Sequence, residues 1–175
     1  MHSLIDYVAF VPNVLSDEKC DTVIEWYNNN LDIEFKSLVA NGVESKSRTS
    51  FSIEVPEKSE IDSILSESIN KTLLAYIQSI SNYPLKDDWS WVSILPKKMQ
   101  SEFFIINKYE VGQEFTWHTD QGYDLKLPQT FSRQFSIVVY LNDDFDGGET
   151  EFQFAKFKPQ KGSCLIFPSN FMYSH

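Results

Sequence analysis

The sequence has few of several residue types, and each shortage removes a class of protein. Its two cysteines neither require nor exclude a disulfide, and we expect both to be free thiols in a reducing, cytoplasmic setting. No apolar run approaches the length of a membrane span, and the N-terminal segment lacks the basic start of a secretory signal. Only 15 Lys and Arg stand against 25 Asp and Glu, so a nucleic-acid partner is not expected.

What remains is typical of a globular protein of one domain. The 175 residues are 42% hydrophobic and 15% aromatic, enough to bury a core without disulfide or metal cross-links. We expect residues 1–100 to supply helices and edge strands and residues 101–175 to form a β core. Ser16 and Ser59 are predicted N-caps of two helices. The second carries an apolar stripe of Ile61, Ile64, Leu65, Ile69, Leu73, Leu74, Ile77 and Ile80.

Short β-rich runs separated by turn signals fill the C-terminal part. These runs are "EFFIINKYE", "FTWHTD", "FSIVVYLN", "TEFQF" and "GSCLIFP". In the N-terminal part, "RTSFSIEV" is also predicted to be a strand. "DDFDGG" is predicted to be a hairpin turn in which Gly147 and Gly148 adopt unusual backbone angles. The pattern favours a sandwich or jelly roll, mostly β, with both helices packed on one sheet.

Histidine is scarce, which makes its positions informative. The three are His2, His118 and His175, and His118 is followed two residues later by Asp120. Residues two apart in a strand point to the same side, so His118 and Asp120 would present an imidazole and a carboxylate together. With a His from another strand they would form the two-His, one-carboxylate triad of non-haem Fe(II) oxygenases. A bare His-x-Asp in a polar surface turn is the alternative.

The run "FSIVVYLN" predicts two different faces. Phe135, Ile137, Val139 and Leu141 form a solid core face, while Ser136, Val138 and Tyr140 form the other. The second face suits a cofactor cavity with one phenol. A Tyr packed with its hydroxyl at the rim of the core is the alternative.

Three segments together resemble the catalytic core of the 2-oxoglutarate and Fe(II)-dependent dioxygenases, in particular the prolyl 4-hydroxylase branch. They are "YEVGQEFTWHTD", "RQFSIVVYLNDDFDGGETEF" and "KPQKGSCLIFPSNFMYSH", and "VPNVLSDEKCDTVIEW" is similar to that branch's entry helix. The resemblance implies a double-stranded β-helix, a jelly-roll variant. It makes His118, Asp120 and His175 the iron ligands.

The resemblance also implies a reaction and its cofactors. Fe(II), 2-oxoglutarate and O2 would hydroxylate an unactivated C–H bond of a prolyl residue in a peptide or protein, giving succinate and CO2, with ascorbate as an additional candidate. Tyr109, Tyr140 and Thr150 would border the 2-oxoglutarate cavity. Arg133 would face substrate, unless it is a solvated residue at a strand end. Trp117 would pack beside the ligand His or form a pocket wall.

The resemblance breaks at the end of the sequence. The family continues past its distal His with a strand whose Arg or Lys binds the 2-oxoglutarate 5-carboxylate, and this sequence stops at His175. We expect the natural chain to continue; the alternative is that it ends here and that 2-oxoglutarate binding is weak or absent. Residues 120–132 are a candidate lid. The rival functions are a dioxygenase acting on a free amino acid or nucleobase, and a metal-binding jelly roll without catalysis.

Overall fold

The computed structural model describes residues 3–37, 46–83, 101–122 and 128–175. The helices in these ranges are α1 (Asp17–Asn28) and α2 (Glu60–Ser81). The strands are β1 (Ala9–Val11), β2 (Phe35–Lys36), β3 (Phe51–Glu54), β4 (Ile105–Lys108), β5 (Phe135–Val139), β6 (Thr150–Phe152), β7 (Ala155–Phe157) and β8 (Cys164–Pro168).

Both predicted helix starts are confirmed. The Ser59 hydroxyl accepts the backbone N–H of Asp62 at 3.1 Å, and Ser16 caps α1 in the same way. The prediction that Leu74 belongs to the packed stripe of α2 is wrong, because its side chain is 62% exposed. Tyr76 is buried in its place. Leu74 follows the half-buried Leu73 directly, and one helical step of about 100° turns it off the packed face.

The strands form three antiparallel sheets among the described residues. Their orders are β1-β8-β5, β2-β3-β4 and β6-β7. Apolar residues pair across them, with the half-buried Ile137 opposite the buried Ile166 in the first sheet and Ile53 opposite Ile106, both buried, in the second. The predicted mostly β fold with supporting helices is therefore confirmed, and its sheets are antiparallel.

The helices cover two sheets, so the prediction that they pack on one sheet is wrong. Near its N-terminus α2 places Leu65 in a cluster with Ile53 of β3. Near its C-terminus the same helix places Ile80 against Cys164 and Ile166 of β8. A helix of 22 residues is about 33 Å long, which is enough to cross from one sheet to the other.

The predicted hairpin at "DDFDGG" is also wrong, because the strands on either side of it belong to different sheets. β5 pairs with β8, and β6 pairs with β7. Gly147 and Gly148 have φ of +83° and +70°, so the prediction of unusual backbone angles is confirmed. The segment connects two sheets rather than two paired strands.

Several other predictions can be located in the described ranges. Cys20 and Cys164 are buried free thiols, as predicted. No helix among the described residues is both long and apolar enough to cross a membrane. The cytoplasmic setting stays a prediction. Of the candidate lid at 120–132, residues 123–127 lie outside the described residues, as does His2.

Candidate metal centre

The segment around His118 is not the strand that the alternation of "FTWHTD" predicted. Its main-chain N–H groups reach separate partners: His118 donates to the carbonyl of His175 at 2.9 Å, and Gln121 donates to that of Ser169 at 2.9 Å. Earlier in the segment, Phe115 makes an isolated bridge. Partners from different parts of the chain do not form one continuous ladder, so the backbone stays irregular.

His118 and His175 are held side by side by their own backbones. His118 N–H donates to the His175 carbonyl, and His175 N–H donates to the His118 carbonyl at 3.1 Å. The two ring centroids are 4.3 Å apart. The predicted approach of a distant His to His118 is thereby observed.

The tautomer of each ring follows from its Nδ1 partner. His118 Nδ1 lies 2.9 Å from the Thr116 carbonyl, and His175 Nδ1 lies 3.0 Å from the Tyr173 carbonyl. A carbonyl oxygen only accepts, so each Nδ1 carries the proton and donates it. In the neutral rings the Nε2 lone pairs are then available, which is the arrangement usual for metal-bound histidines.

Asp120 completes the cluster. Its Oδ1 lies 3.5 Å from His118 Nε2, and its Oδ2 lies 3.9 Å from His175 Nε2. One ligand atom from each residue can be chosen so that all three lie within 4.8 Å of one another. Donors at right angles on a transition metal are about 3 Å apart, given bonds near 2.1 Å. Two imidazole nitrogens and a carboxylate at these separations fit a divalent transition metal after small side-chain rotations.

The electrostatics of the site favour an ionised carboxylate at Asp120 beside a neutral imidazole at His175. Burial by itself raises the pKa of Asp120. The interactions with His118, His175 and the hydroxyl of Ser136 outweigh burial and hold that pKa well below its ordinary value. Burial lowers the pKa of His175, despite the opposing effect of Asp120. These are the protonation states that metal ligation requires.

Three contacts around the triad have no counterpart in the sequence predictions. The Phe115 ring stacks on His118 with centroids 3.5 Å apart. The guanidinium of Arg48, from the segment before β3, lies 4.6 Å from the Phe115 centroid. The charge of Arg48 also interacts with Asp120. Ser136, which hydrogen-bonds Asp120, lies 2.8 Å from the Ser169 hydroxyl. Among these contacts, only that of Ser136 had a signal in the sequence, because the alternation of "FSIVVYLN" puts Ser136 on the same face as Tyr140.

Tyr140 and Thr150, both predicted to border a cofactor cavity, contact each other. The Tyr140 hydroxyl lies 2.7 Å from Thr150 Oγ1. Tyr140 packs in a cluster with Phe152 and Phe167, whose ring centroids lie 5.6 and 4.7 Å from that of His175. Burial raises the pKa of Tyr140 to about 12, so the phenol is protonated and can donate a hydrogen bond.

The remaining predicted residues lie at the outer side of the site. Tyr109 and Trp117 are 47% and 54% exposed, so the packed alternative for Trp117 is wrong. Burial lowers the pKa of Arg48, and interaction with Tyr109 acts in the opposite direction. Arg133 is not a freely solvated side chain, because it pairs with Glu102 at 2.6 Å and donates to the Asp120 carbonyl at 2.9 Å. A substrate contact by Arg133 stays a prediction.

Comparison with known proteins shows which family the C-terminal part of the chain is similar to. Residues 104–175 match the family model of the 2OG-Fe(II) oxygenase superfamily. This region contains all three triad residues and most of the β core. The predicted resemblance to the 2-oxoglutarate and Fe(II)-dependent oxygenases is therefore confirmed for residues 104–175.

A curated protein similar to this chain is named as a prolyl hydroxylase. The chain is 33% identical over 97 residues to the Arabidopsis thaliana protein named Probable prolyl 4-hydroxylase 9, a match that covers 45% of this chain and 33% of the relative. The match thus spans a third of that relative's length. The resemblance to the prolyl 4-hydroxylase branch is confirmed.

Solved structures of similar fold come from the same branch. A Pseudomonas putida prolyl-4-hydroxylase is 18% identical, with a TM-score of 0.62 over 93% of this chain and 81% of that one. A collagen prolyl hydroxylase of Paramecium bursaria Chlorella virus 1, in complex with 2-oxoglutarate, is 22% identical, with a TM-score of 0.58 over 93% and 77%. A Trichoplax adhaerens prolyl hydroxylase, in complex with a hypoxia inducible factor peptide, is 13% identical, with a TM-score of 0.66 over 97% and 76%. At these identities the likeness establishes the fold.

Proposed function

We propose that this protein is an Fe(II) and 2-oxoglutarate-dependent hydroxylase whose metal is held by His118, Asp120 and His175. The convergence of their ligand atoms within 4.8 Å carries the proposal. Such a triad occupies one face of an octahedron and leaves positions open for a chelating co-substrate and O2. In the overall reaction, substrate C–H, 2-oxoglutarate and O2 give substrate C–OH, succinate and CO2, and ascorbate would support turnover.

The bound metal and co-substrate would supply the oxidising power, and the protein would orient the metal ligands and the 2-oxoglutarate. The Thr116 and Tyr173 carbonyls orient the two imidazoles through their Nδ1 protons. We propose that Tyr140 and Thr150 donate hydrogen bonds to the 5-carboxylate of 2-oxoglutarate. The phenol and the hydroxyl, which hydrogen-bond each other at 2.7 Å, would offer two donors to one anion when that mutual bond opens.

The proposed substrate is a prolyl residue in a peptide or protein. Two exposed aromatic side chains, Tyr109 and Trp117, lie close to the triad in sequence and support this proposal. Proline-rich segments dock on surfaces lined by aromatic rings. The net charge of −10 opposes a polyanionic nucleic acid. We further propose that 1–175 is one domain, with 101–175 as a double-stranded β-helix core.

A turnover assay tests the proposal. The protein would be incubated with Fe(II), 2-oxoglutarate and ascorbate. The candidate substrates are proline-containing peptides, the same peptides with alanine for proline, free L-proline and a methylated oligonucleotide. We expect succinate and a product with one added oxygen atom only with the proline peptides. Oxidation of free L-proline or of the oligonucleotide would instead assign the substrate to that class.

A matched pair of variants controls the assay. Asp120→Asn removes the ligand charge and should abolish turnover. Asp146→Asn makes the same chemical change on an exposed loop residue and should leave turnover unchanged. Protein that binds the metal through Asp120 but forms no succinate with any substrate would be a binding module rather than an enzyme.

A further inference from the structure

Arg133 links the ligand residue Asp120 to a carboxylate from a different part of the chain. Its Nε and Nη2 donate to Glu102 Oε1 and Oε2 at 2.6 and 2.7 Å. Its Nη1 donates to the main-chain carbonyl of Asp120 at 2.9 Å. A bidentate pair of this kind fixes the plane of the guanidinium, so the third donor has a defined direction. One planar group therefore joins the segment before β4 to the metal ligand.

The backbone at Asp120 depends on such contacts, because it lies in no strand. The residues near Asp120 make separate hydrogen bonds. Thr119 Oγ1 donates to the Ser169 carbonyl at 2.9 Å, and Gly122 N–H donates to the Thr130 carbonyl at 3.2 Å. The Asp120 carbonyl accepts from Arg133. The N–H of the same peptide unit, that of Gln121, donates to the Ser169 carbonyl at 2.9 Å, so the two bonds together hold the main chain that carries the Asp120 carboxylate.

We infer that Arg133 is a positioning residue that fixes Asp120 for metal binding, with Glu102 as its anchor. This inference rests on the proposed metal centre and deepens it. Groups that hold a metal ligand from outside the coordination sphere commonly change metal affinity by about 10–100-fold. The role differs from a substrate contact, because it acts on metal affinity in the absence of any substrate.

Calorimetric titration of anaerobic protein with Mn(II), without 2-oxoglutarate or substrate, tests the inference. We expect Arg133→Gln to raise the Kd for Mn(II) by about tenfold or more. Arg133→Lys keeps the charge but loses the planar fork, and should raise the Kd by less. Glu102→Gln should raise it in the same direction. Lys156→Gln breaks an exposed ion pair with Glu151, 2.8 Å long, and should leave the Kd unchanged.

The absorption spectrum of the Co(II)-loaded protein gives a second readout, since it responds to ligand geometry. We expect its visible bands to change in Arg133→Gln and Glu102→Gln and to stay unchanged in Lys156→Gln. If Arg133→Gln and Glu102→Gln both bind Mn(II) with the wild-type Kd and Arg133→Gln raises the KM for peptide, the positioning role is overturned. The metal centre would then still stand. Absence of Mn(II) binding by the wild type would overturn both proposals. If Arg133→Gln does not fold, the Kd values for Mn(II) of Arg133→Lys and Glu102→Gln test the positioning role instead.

Discussion

The Tyr140 phenol and the Thr150 hydroxyl form a partly buried, hydrogen-bonded pair beside the aromatic cluster that contacts His175. If they bind the 5-carboxylate of 2-oxoglutarate, Tyr140→Phe removes one hydrogen bond to a charged group, worth about 1.5–3 kcal/mol. We expect the Kd for 2-oxoglutarate to rise by about tenfold or more while the Kd for Mn(II) stays unchanged, both measured by calorimetry. Tyr27→Phe, which loses a hydroxyl contact to Glu34, is the matched control. Equal 2-oxoglutarate affinity in both variants would exclude Tyr140 from the carboxylate site.

The two thiols provide a second prediction for single residues. Burial raises the pKa of Cys164 to about 12 and also raises the pKa of Cys20. Because the thiolate is the reactive form, we expect neither to react with a disulfide reagent at pH 8 until urea unfolds the protein. The unfolded chain releases these protons at lower pH than the native one, so stability should fall as pH rises past about 8.5. Rapid reaction of the native protein would contradict the burial of both side chains.

Between elements, two glycines with similar backbone angles should respond differently to alanine. Gly162 has φ +75°, and an added Cβ would collide with the Leu15 carbonyl oxygen. Gly112 has φ +83° with nothing within 4 Å of the same position. Both substitutions incur the left-handed backbone cost of roughly 1–2 kcal/mol. Only Gly162→Ala adds overpacking of about 1–3 kcal/mol.

Urea unfolding of the two alanine variants measures this difference. The free energy of unfolding should fall further in Gly162→Ala than in Gly112→Ala. Gly162 lies in the turn before β8, where its carbonyl accepts the N–H groups of Val14 and Leu15 at 2.8 and 3.0 Å. Equal losses would mean that the turn moves away from the segment before α1 without cost.

Local signals explain which elements the sequence predicts well. The helix starts depend on Ser16 and Ser59, whose hydroxyls bond to N–H groups three residues along. The two faces of β5 follow from alternation, and Phe135 and Tyr140 do contact different clusters. Such features involve neighbouring residues only, so a single sequence contains them.

Non-local pairing explains the errors. Turn residues at "DDFDGG" cannot reveal that β5 pairs with β8 rather than β6. His118 and Asp120 converge with His175 without a strand, through hydrogen bonds to distant carbonyls. Arg48 and Ser136 reach the site only after the sheets assemble. The motif therefore predicts the ligand types, and tertiary structure determines what surrounds them.

For the molecule as a whole, the proposed metal joins two distant parts of the chain. His118 lies between β4 and β5, whereas His175 follows β8, and their mutual backbone hydrogen bonds already hold these parts together. A ligand that binds only the folded protein stabilises it by an amount that grows with ligand concentration. Metal binding at the triad should therefore raise the stability of the entire fold.

Thermal unfolding with and without Mn(II) measures this effect. At 100 times its Kd, Mn(II) should add about 2.7 kcal/mol, which raises the Tm by about 5–10 °C for a domain of this size. The shift should shrink at acid pH, because protonated imidazoles cannot bind the metal. Asp120→Asn should lose most of the shift, and Asp146→Asn should keep it. If both variants keep it, Mn(II) stabilises the protein elsewhere, since an acidic chain with net charge −10 offers many weak cation contacts.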